Sequence, residues 1–270
     1  MRGPAPIGYS VRALTFVLVT GVGFALFGCD HTQRSPQTIH DGFEGTSLSK
    51  LWRTDKLAKN ALELQSEHVR AGQSAVKITI RSGDPSPSIS ADETERDELQ
   101  ESDEFNAKEG ECYSYEFTLF VPKDFPVVST RLVFAQWKQK EGTTAVKVGN
   151  PIIALRYVSG ALSITIQTDN HQTTHYITQN EIRGRWLDFV FHIRHARTPD
   201  GAVRVWMNGE EILNFQGPTA YSEKFGYEPY GVFYFKMGLY RDDMAEPMSV
   251  YFDEYRKRPL TRGEFPELPH

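Results

Sequence analysis

Hydrophobic and polar residues alternate over many short segments of this 270-residue chain. The alternation is strict over residues 76–81 and 162–167, where every second side chain is apolar. A period of two residues is typical of strands with one buried face, and the sequence has no long stretch of helical periodicity. The pattern therefore predicts an all-β protein.

Strands are predicted where such runs lie between turn residues. They cover residues 61–67, 75–81, 113–121, 131–138, 152–157, 162–168, 186–195, 202–207, 232–240 and 248–256. Residues 47–52 and 222–227 are predicted to form short helical turns.

Turn signals support this order of strands. Asn208-Gly209 separates two apolar runs and predicts a tight hairpin, and Ser159-Gly160 and Asp200-Gly201 predict further turns. Many short strands with such turns favour a single-domain antiparallel β-sandwich, a β-jelly roll of the concanavalin A-like type.

Both ends of the chain are predicted to lie outside the folded domain. Residues 1–28 carry Arg2 and Arg12 before an apolar run, as a secretory signal peptide does. Residues 29–40 are polar and predict a flexible tether, residues 41–262 the folded domain, and residues 263–270 a C-terminal tail.

The end of the apolar run, Leu26-Phe27-Gly28-Cys29, resembles the lipobox of bacterial lipoproteins. The resemblance implies lipid attachment at Cys29 and export across the inner membrane. The protein would then be held at a membrane by its lipid, in the periplasm or at the cell surface. A plain signal peptide or a membrane anchor is the alternative.

Charge and cysteine content narrow the possible partners. The formal net charge is −5, and losing Arg2 and Arg12 with the signal makes it −7. An acidic chain argues against nucleic-acid binding. Cys112 would be the one cysteine left beside Cys29, so the folded part has no internal disulfide and depends on its core. We expect a monomer.

Three segments carry a polar pattern that packing alone does not explain: Arg96-Asp97-Glu98-Leu99-Gln100, Gln136-Trp137-Lys138 and the run from Tyr234 to Arg241. Alternate residues of a strand face one side. If the three strands are neighbours, one face displays Arg96, Glu98, Gln136, Lys138, Tyr234, Lys236 and Tyr240. Burying such a set would be costly, and cations with phenols suit an anionic sugar. Gly238 among them indicates close approach by a ligand or another backbone.

These segments resemble the signature motifs of jelly-roll polysaccharide lyases, R-x-E-L, Q-x-H and Y-F-K-x-G-x-Y, as found in the alginate, glucuronan and heparin I lyase groups. The resemblance spans residues 41–258. It implies a β-jelly roll that cleaves an acidic polysaccharide, here a glucuronan-like polymer of uronic acid, by β-elimination.

The resemblance also implies roles for individual residues. Arg96 and Gln136 would neutralise the uronate carboxylate, and Tyr240 would transfer the proton. Lys138 stands where the motif has histidine. Lys138 could act as the base if its pKa fell well below about 10.4. Alternatively, Tyr240 is both base and acid while Lys138 holds the carboxylate, which we favour because it needs one perturbed group instead of two.

Further substrate contacts are predicted at Glu98, Tyr234, Lys236, Arg241, Arg156 and His175. His175 belongs to the turn-rich stretch 169–175 and could supply a substitute base, since catalytic side chains often lie on loops. A solvated loop histidine is the alternative.

The acidic residues suggest a structural calcium ion. Carbohydrate-active sandwiches resembling this chain suggest Glu44 and Asp253 as its ligands, through carboxylate oxygens. The sequence contains no EF-hand loop and no zinc-ligand spacing. The alternative is a surface without metal.

Each motif alone has a plainer interpretation. Residues 92–104 are rich in acids and could form a solvated edge strand. A non-catalytic lipoprotein that binds acidic polysaccharide is the main competing function, because Lys138 could abolish the chemistry. A retaining hydrolase would need two carboxylates about 5–5.5 Å apart, and the sequence offers no convincing pair.

Overall fold

The computed structural model describes residues 37–55, 57–84, 94–141, 150–169, 172–261 and 264–265, besides Gly3. The chain divides into residues 1–35 and residues 36–270, and the second unit contains the fold. The predicted signal peptide, Cys29, most of the tether and most of the tail lie outside the described residues. No helix in the described ranges is long and apolar enough to cross a membrane.

The regular secondary structure of the described part is almost entirely β-strand, as predicted. The strands are β1 (Ile39–Asp41), β2 (Trp52–Arg53), β3 (Leu62–Gln65), β4 (Ala75–Ile80), β5 (Thr94–Glu101), β6 (Ala107–Lys108), β7 (Cys112–Val121), β8 (Leu132–Gln139), β9 (Ile153–Val158), β10 (Ala161–Gln167), β11 (Gln172–Thr178), β12 (Arg185–Arg194), β13 (Ala202–Met207), β14 (Glu210–Gln216), β15 (Val232–Asp242) and β16 (Met248–Pro259). Two short 3-10 turns, Asp103–Phe105 and Glu223–Phe225, interrupt them.

Two antiparallel sheets form a sandwich. Sheet 1 has the order β14-β13-β12-β7-β16-β4-β3, with β1 beside β16. Sheet 2 has the order β11-β10-β9-β8-β15-β5-β2, with β6 beside β15. Since neighbours in the sheets are often distant in sequence, both sheets depend on long crossovers, and the predicted all-β jelly-roll sandwich is confirmed.

Aromatic side chains join the two sheets. Trp137 of β8 lies 4.4 Å from Phe191 of β12, measured between ring centroids, and Phe235 of β15 stacks on Tyr255 of β16 at 5.4 Å. All four are fully buried. Burial of one phenylalanine side chain contributes about 1.5–3 kcal/mol, so this layer stabilises the sandwich in place of disulfides.

Local turn chemistry agrees with the sequence in most places. Asn208 and Gly209 both have positive φ, 54° and 82°, as a tight two-residue hairpin requires. The turn predicted at residues 222–227 is confirmed, with Ser222 capping the 3-10 helix. Residues 47–52 form a single hydrogen-bonded turn, in which the Trp52 N–H donates to the Ser49 carbonyl at 3.2 Å, and no helix. The assignment of the stretch 169–175 to a loop is wrong, because most of it belongs to β11.

The acid-rich segment is the main surprise of the fold. β5 lies between β15 and β2, so it is not a solvated edge strand. Its inner face buries Glu95, Asp97 and Glu101. Glu101 pairs with Lys257 Nζ at 3.0 Å and accepts a hydrogen bond from Tyr255, so an ion pair links the two sheets.

Asp97 gives the fold a predictable pH dependence. Its carboxylate accepts the Ala58 N–H at 2.7 Å, and burial raises its pKa to about 8, with Asp84 adding to the rise. An unfolded chain releases this proton near pH ~3.9. The folded state therefore binds more protons between these values, and raising the pH across this window favours unfolding.

We expect the free energy of unfolding to fall as the pH rises from about 5 to about 8, and Asp97→Asn to flatten that slope. Urea unfolding at several pH values measures it. Asp124→Asn, at an exposed position, is the matched control and should leave the slope unchanged. An Asp97→Asn slope equal to that of the natural chain would contradict the assignment.

Candidate active site

The three polar segments form adjacent strands at the centre of sheet 2. β15 pairs with β5 on one side, placing Tyr240 opposite Arg96 and Gly238 opposite Glu98. β15 pairs with β8 on the other side, placing Lys236 opposite Gln136 and Tyr234 opposite Lys138. We call the side of these strands that faces away from sheet 1 the site face. The predicted neighbourhood of the three motifs is confirmed.

Gly238 is required by a close approach between two backbones. Its φ is +144°, and an added Cβ would collide with the Asp97 carbonyl oxygen and lie 2.8 Å from Glu98 Cα. The missing side chain lets β5 approach β15 closely. The approach is closest at Asp97 and Glu98.

Glu98 is the hub of the site. Its side chain is 1% exposed, and its carboxylate lies 3.1 Å from Arg96 Nε and 3.4 Å from Lys236 Nζ. The Gln136 amide also donates to it. Burial alone would raise the pKa of Glu98, but Lys236, Arg96 and Gln136 outweigh burial and lower it. Glu98 is therefore ionised and holds three site residues in place.

Two guanidinium groups hold Tyr240. Arg96 lies over its ring, 4.6 Å from the centroid, and Arg131 donates from Nη1 to the phenolic oxygen at 2.9 Å. Arg131 is fixed in turn by Asp242, whose carboxylate lies 2.9 Å from Arg131 Nε. Positive charge thus surrounds the Tyr240 phenol, whose oxygen receives a hydrogen bond from a cation.

Sequence reasoning missed Arg131 because a bulge interrupts the alternation of β8. Strict alternation puts Arg131 on the face opposite to Gln136 and Lys138. The register of β8 against β9 shifts between Val133 and Ala135, which leaves Val133 opposite both Arg156 and Tyr240. Arg131, two residues before Val133, therefore returns to the site face. The available signal was a cation at the start of the predicted strand.

Lys138 and Tyr234 form one end of the site. They are directly opposite each other in the sheet, and Lys236 Nζ lies 5.9 Å from the Tyr234 ring centroid. Burial raises the pKa of Tyr234, and Glu98 raises it further. Tyr234 therefore keeps its proton, which leaves Tyr240 as the tyrosine suited to proton transfer.

Two predicted substrate contacts do not belong to the site face. Arg241 is fully buried on the other face of β15, where Nε donates to Glu95 at 2.7 Å. Alternation explains this, because Arg241 follows Tyr240 directly. His175 packs against Phe215 of sheet 1, with ring centroids 4.6 Å apart, and so faces the opposite sheet. Both side chains therefore point away from the face that carries Tyr240.

Arg156, a predicted substrate contact, lies on the site face. It is opposite Val133, which is itself opposite Tyr240. Its Nε donates to Thr165 at 3.0 Å and its Nη2 to Gln172 at 2.9 Å. These neutral partners on β10 and β11 fix the guanidinium.

Glu44 and Asp253 brace one loop. Glu44 accepts the N–H groups of Gln73 and Ser74, and Asp253 accepts those of Arg70 and Ala71. The structured ranges contain no cluster of three or more His, Cys, Asp or Glu side chains that could hold a metal ion. Calcium takes six to eight oxygen ligands, so this pair does not fit it as arranged. The calcium site stays a prediction.

The site face as a whole is cationic. It combines Arg96, Arg131, Lys138, Arg156 and Lys236 with the carboxylates of Glu98 and Asp242, although the whole chain carries −5. A cationic surface with one guanidinium-bound phenol can bind an anionic sugar and hold a proton-transfer group beside it.

A family model described as polysaccharide lyase matches residues 39–256. The chain belongs to this family, and it is a polysaccharide lyase, an enzyme whose substrate is a polysaccharide. A search of curated proteins finds no match.

Solved structures share the fold. The endo-β-1,4-glucuronan lyase of the fungus Trichoderma reesei is 18% identical, with a TM-score of 0.60 over 77% of this chain and 90% of that one. The family 7 alginate lyase AlgAT5 is 13% identical, with a TM-score of 0.51 over 76% and 85%. The family 7 alginate lyase A1-II′ in complex with product is 14% identical, with a TM-score of 0.52 over 79% and 85%.

Proposed function

We propose that this lyase cleaves a glucuronan-like polymer of uronic acid by β-elimination. The observation that carries the proposal is the set of cations around Tyr240, since neutral sugars would not need them. The enzymes that share the fold are named as a glucuronan lyase and alginate lyases, and both substrates are uronate polymers. Their likeness supports this substrate class.

Arg96 and Gln136 neutralise the uronate carboxylate in this scheme. Removing the proton at C5 builds negative charge towards that carboxylate, and positioned donors stabilise the charge best where water is excluded. Arg96 is 13% exposed and meets the carboxylate first, whereas Gln136 is buried beside it. Glu98 is already engaged by Arg96, Lys236 and Gln136, so we assign Glu98 and Lys236 to positioning Arg96 and Gln136.

Tyr240 transfers the proton. As a phenolate it takes the C5 proton, the C5–H electrons form the C4=C5 double bond, and the C4–O4 bond breaks. The phenol then returns the proton to the departing O4. Arg131 stabilises the negative charge on the phenolic oxygen through its 2.9 Å hydrogen bond. Lys138 adds positive charge next to the carboxylate and needs no deprotonated form.

A panel of polymers tests the substrate class. We expect ultraviolet absorbance of an unsaturated uronate to grow with glucuronan or alginate and not with uncharged cellulose. Added salt should slow the reaction, because it screens the contacts between the cations and the polymer. Cleavage of cellulose at a comparable rate would contradict the proposal, and binding of glucuronan without any product would favour the non-catalytic binding protein.

A further inference from the structure

Arg156 differs from the other two arginines of the site face. Arg96 pairs with Glu98 and Arg131 with Asp242. Arg156 donates to the neutral oxygens of Thr165 and Gln172, and no acidic side chain in the described ranges pairs with it. A partly buried guanidinium without a carboxylate carries a desolvation cost that an anionic ligand would offset.

The environment of Arg156 is also electropositive. Burial lowers the pKa of its guanidinium, and the charge of Arg131 lowers it further. The group stays charged, since an arginine pKa lies far above neutral pH. Arg156 and Arg131 are neighbours, and Asp242 is the carboxylate paired with Arg131. The pair of guanidinium groups therefore carries excess positive charge.

Arg156 and Arg96 lie on opposite sides of Tyr240. The row Arg156, Val133, Tyr240 and Arg96 crosses four adjacent strands, each residue opposite the next. Three strand spacings separate the two arginines, about 14 Å between their backbones. Their side chains are also tied in different directions, Arg156 towards β10 and β11 and Arg96 towards Glu98. One carboxylate therefore does not serve both.

We propose that Arg156 forms a second carboxylate-binding subsite, which binds another uronate of the same chain on the side of Tyr240 away from Arg96. The inference rests on the proposed function and narrows it: the enzyme recognises polymers with a carboxylate on neighbouring sugars, and discriminates against a single uronate in a neutral chain. Nη1 of Arg156, which neither Thr165 nor Gln172 engages, is the atom that meets this carboxylate.

The test compares two probes of equal length and linkage: glucuronate oligomers, and the same oligomers with most carboxyl groups reduced so that each remaining uronate is isolated. Binding is titrated in the Tyr240→Phe background, which keeps the probes intact. We expect Arg156→Gln to weaken binding of the full glucuronate oligomer about tenfold and to leave the reduced oligomer unchanged. Arg156→Lys should retain part of the preference, because it keeps the charge.

Arg185→Gln is the matched control, since Arg185 is exposed in the opposite sheet and should affect neither probe. Equal weakening for both probes, or none for either, would overturn the subsite. The proposed function is tested separately. If the natural chain makes no unsaturated product from glucuronan, β-elimination is wrong. The affinities for the full and the reduced oligomer still decide the role of Arg156 in that case.

Discussion

Replacing Tyr240 by phenylalanine should lower kcat about 10²- to 10⁴-fold on a uronate polymer, the range typical of a lost general acid or base. The ring that stacks on Arg96 is kept, and only the oxygen that accepts the Arg131 hydrogen bond is removed. KM should change little, because the cations that bind the polymer remain. Initial rates of unsaturated product formation measure both constants.

Tyr230→Phe is the control for this substitution. Tyr230 is 87% exposed and precedes β15 outside the three motifs, so it should keep full activity. A Tyr240→Phe enzyme with undiminished kcat would remove Tyr240 from proton transfer and leave Lys138 as the candidate base.

The second large effect is expected at Glu98. Glu98→Ala leaves the Lys236 ammonium, 1% exposed, without its carboxylate. Removing one partner of a buried ion pair costs about 3–5 kcal/mol, so the free energy of unfolding should fall by that amount. Activity should fall as well, because Arg96 and Gln136 lose the group that positions them. Urea unfolding and initial rates on one preparation measure the two effects.

An exposed pair of the same residue types provides the comparison. Glu63 and Lys77 lie 3.9 Å apart, with the Glu63 side chain 65% exposed. Glu63→Ala should cost at most about 1 kcal/mol and leave activity intact. If Glu98→Ala were as mild as Glu63→Ala, Glu98 would not be the hub of the site.

Alternation was enough to predict most of the fold. Runs such as residues 76–81 bury one face against a core, so their period of two carries structural information directly. The sequence did not predict β11 as a strand, because its polar residues resemble a loop. Its pairing with β10 depends on tertiary context. β5 was ambiguous for the opposite reason: its inner acids are compatible with burial only because Lys257, Tyr255 and Arg241 come from distant strands.

The site was predictable where alternation is regular. Tyr234, Lys236 and Tyr240 share the site face with Arg96 and Gln136, as two-residue spacing requires. The bulge in β8 hid Arg131, since a register shift changes which face each residue occupies. Burial was not predictable either: alternation gives the face of Glu98 and Lys236, but not that both side chains are only 1% exposed.

The central claim is that Tyr240 drives elimination on a uronate polymer. The most direct measurement follows, with the full chain and glucuronan, the number of unsaturated uronate ends formed for each new reducing end. The account predicts one unsaturated end per new reducing end, and a parallel loss of both in Tyr240→Phe. New reducing ends without unsaturated ends would contradict it, because the chain would then be cutting by hydrolysis.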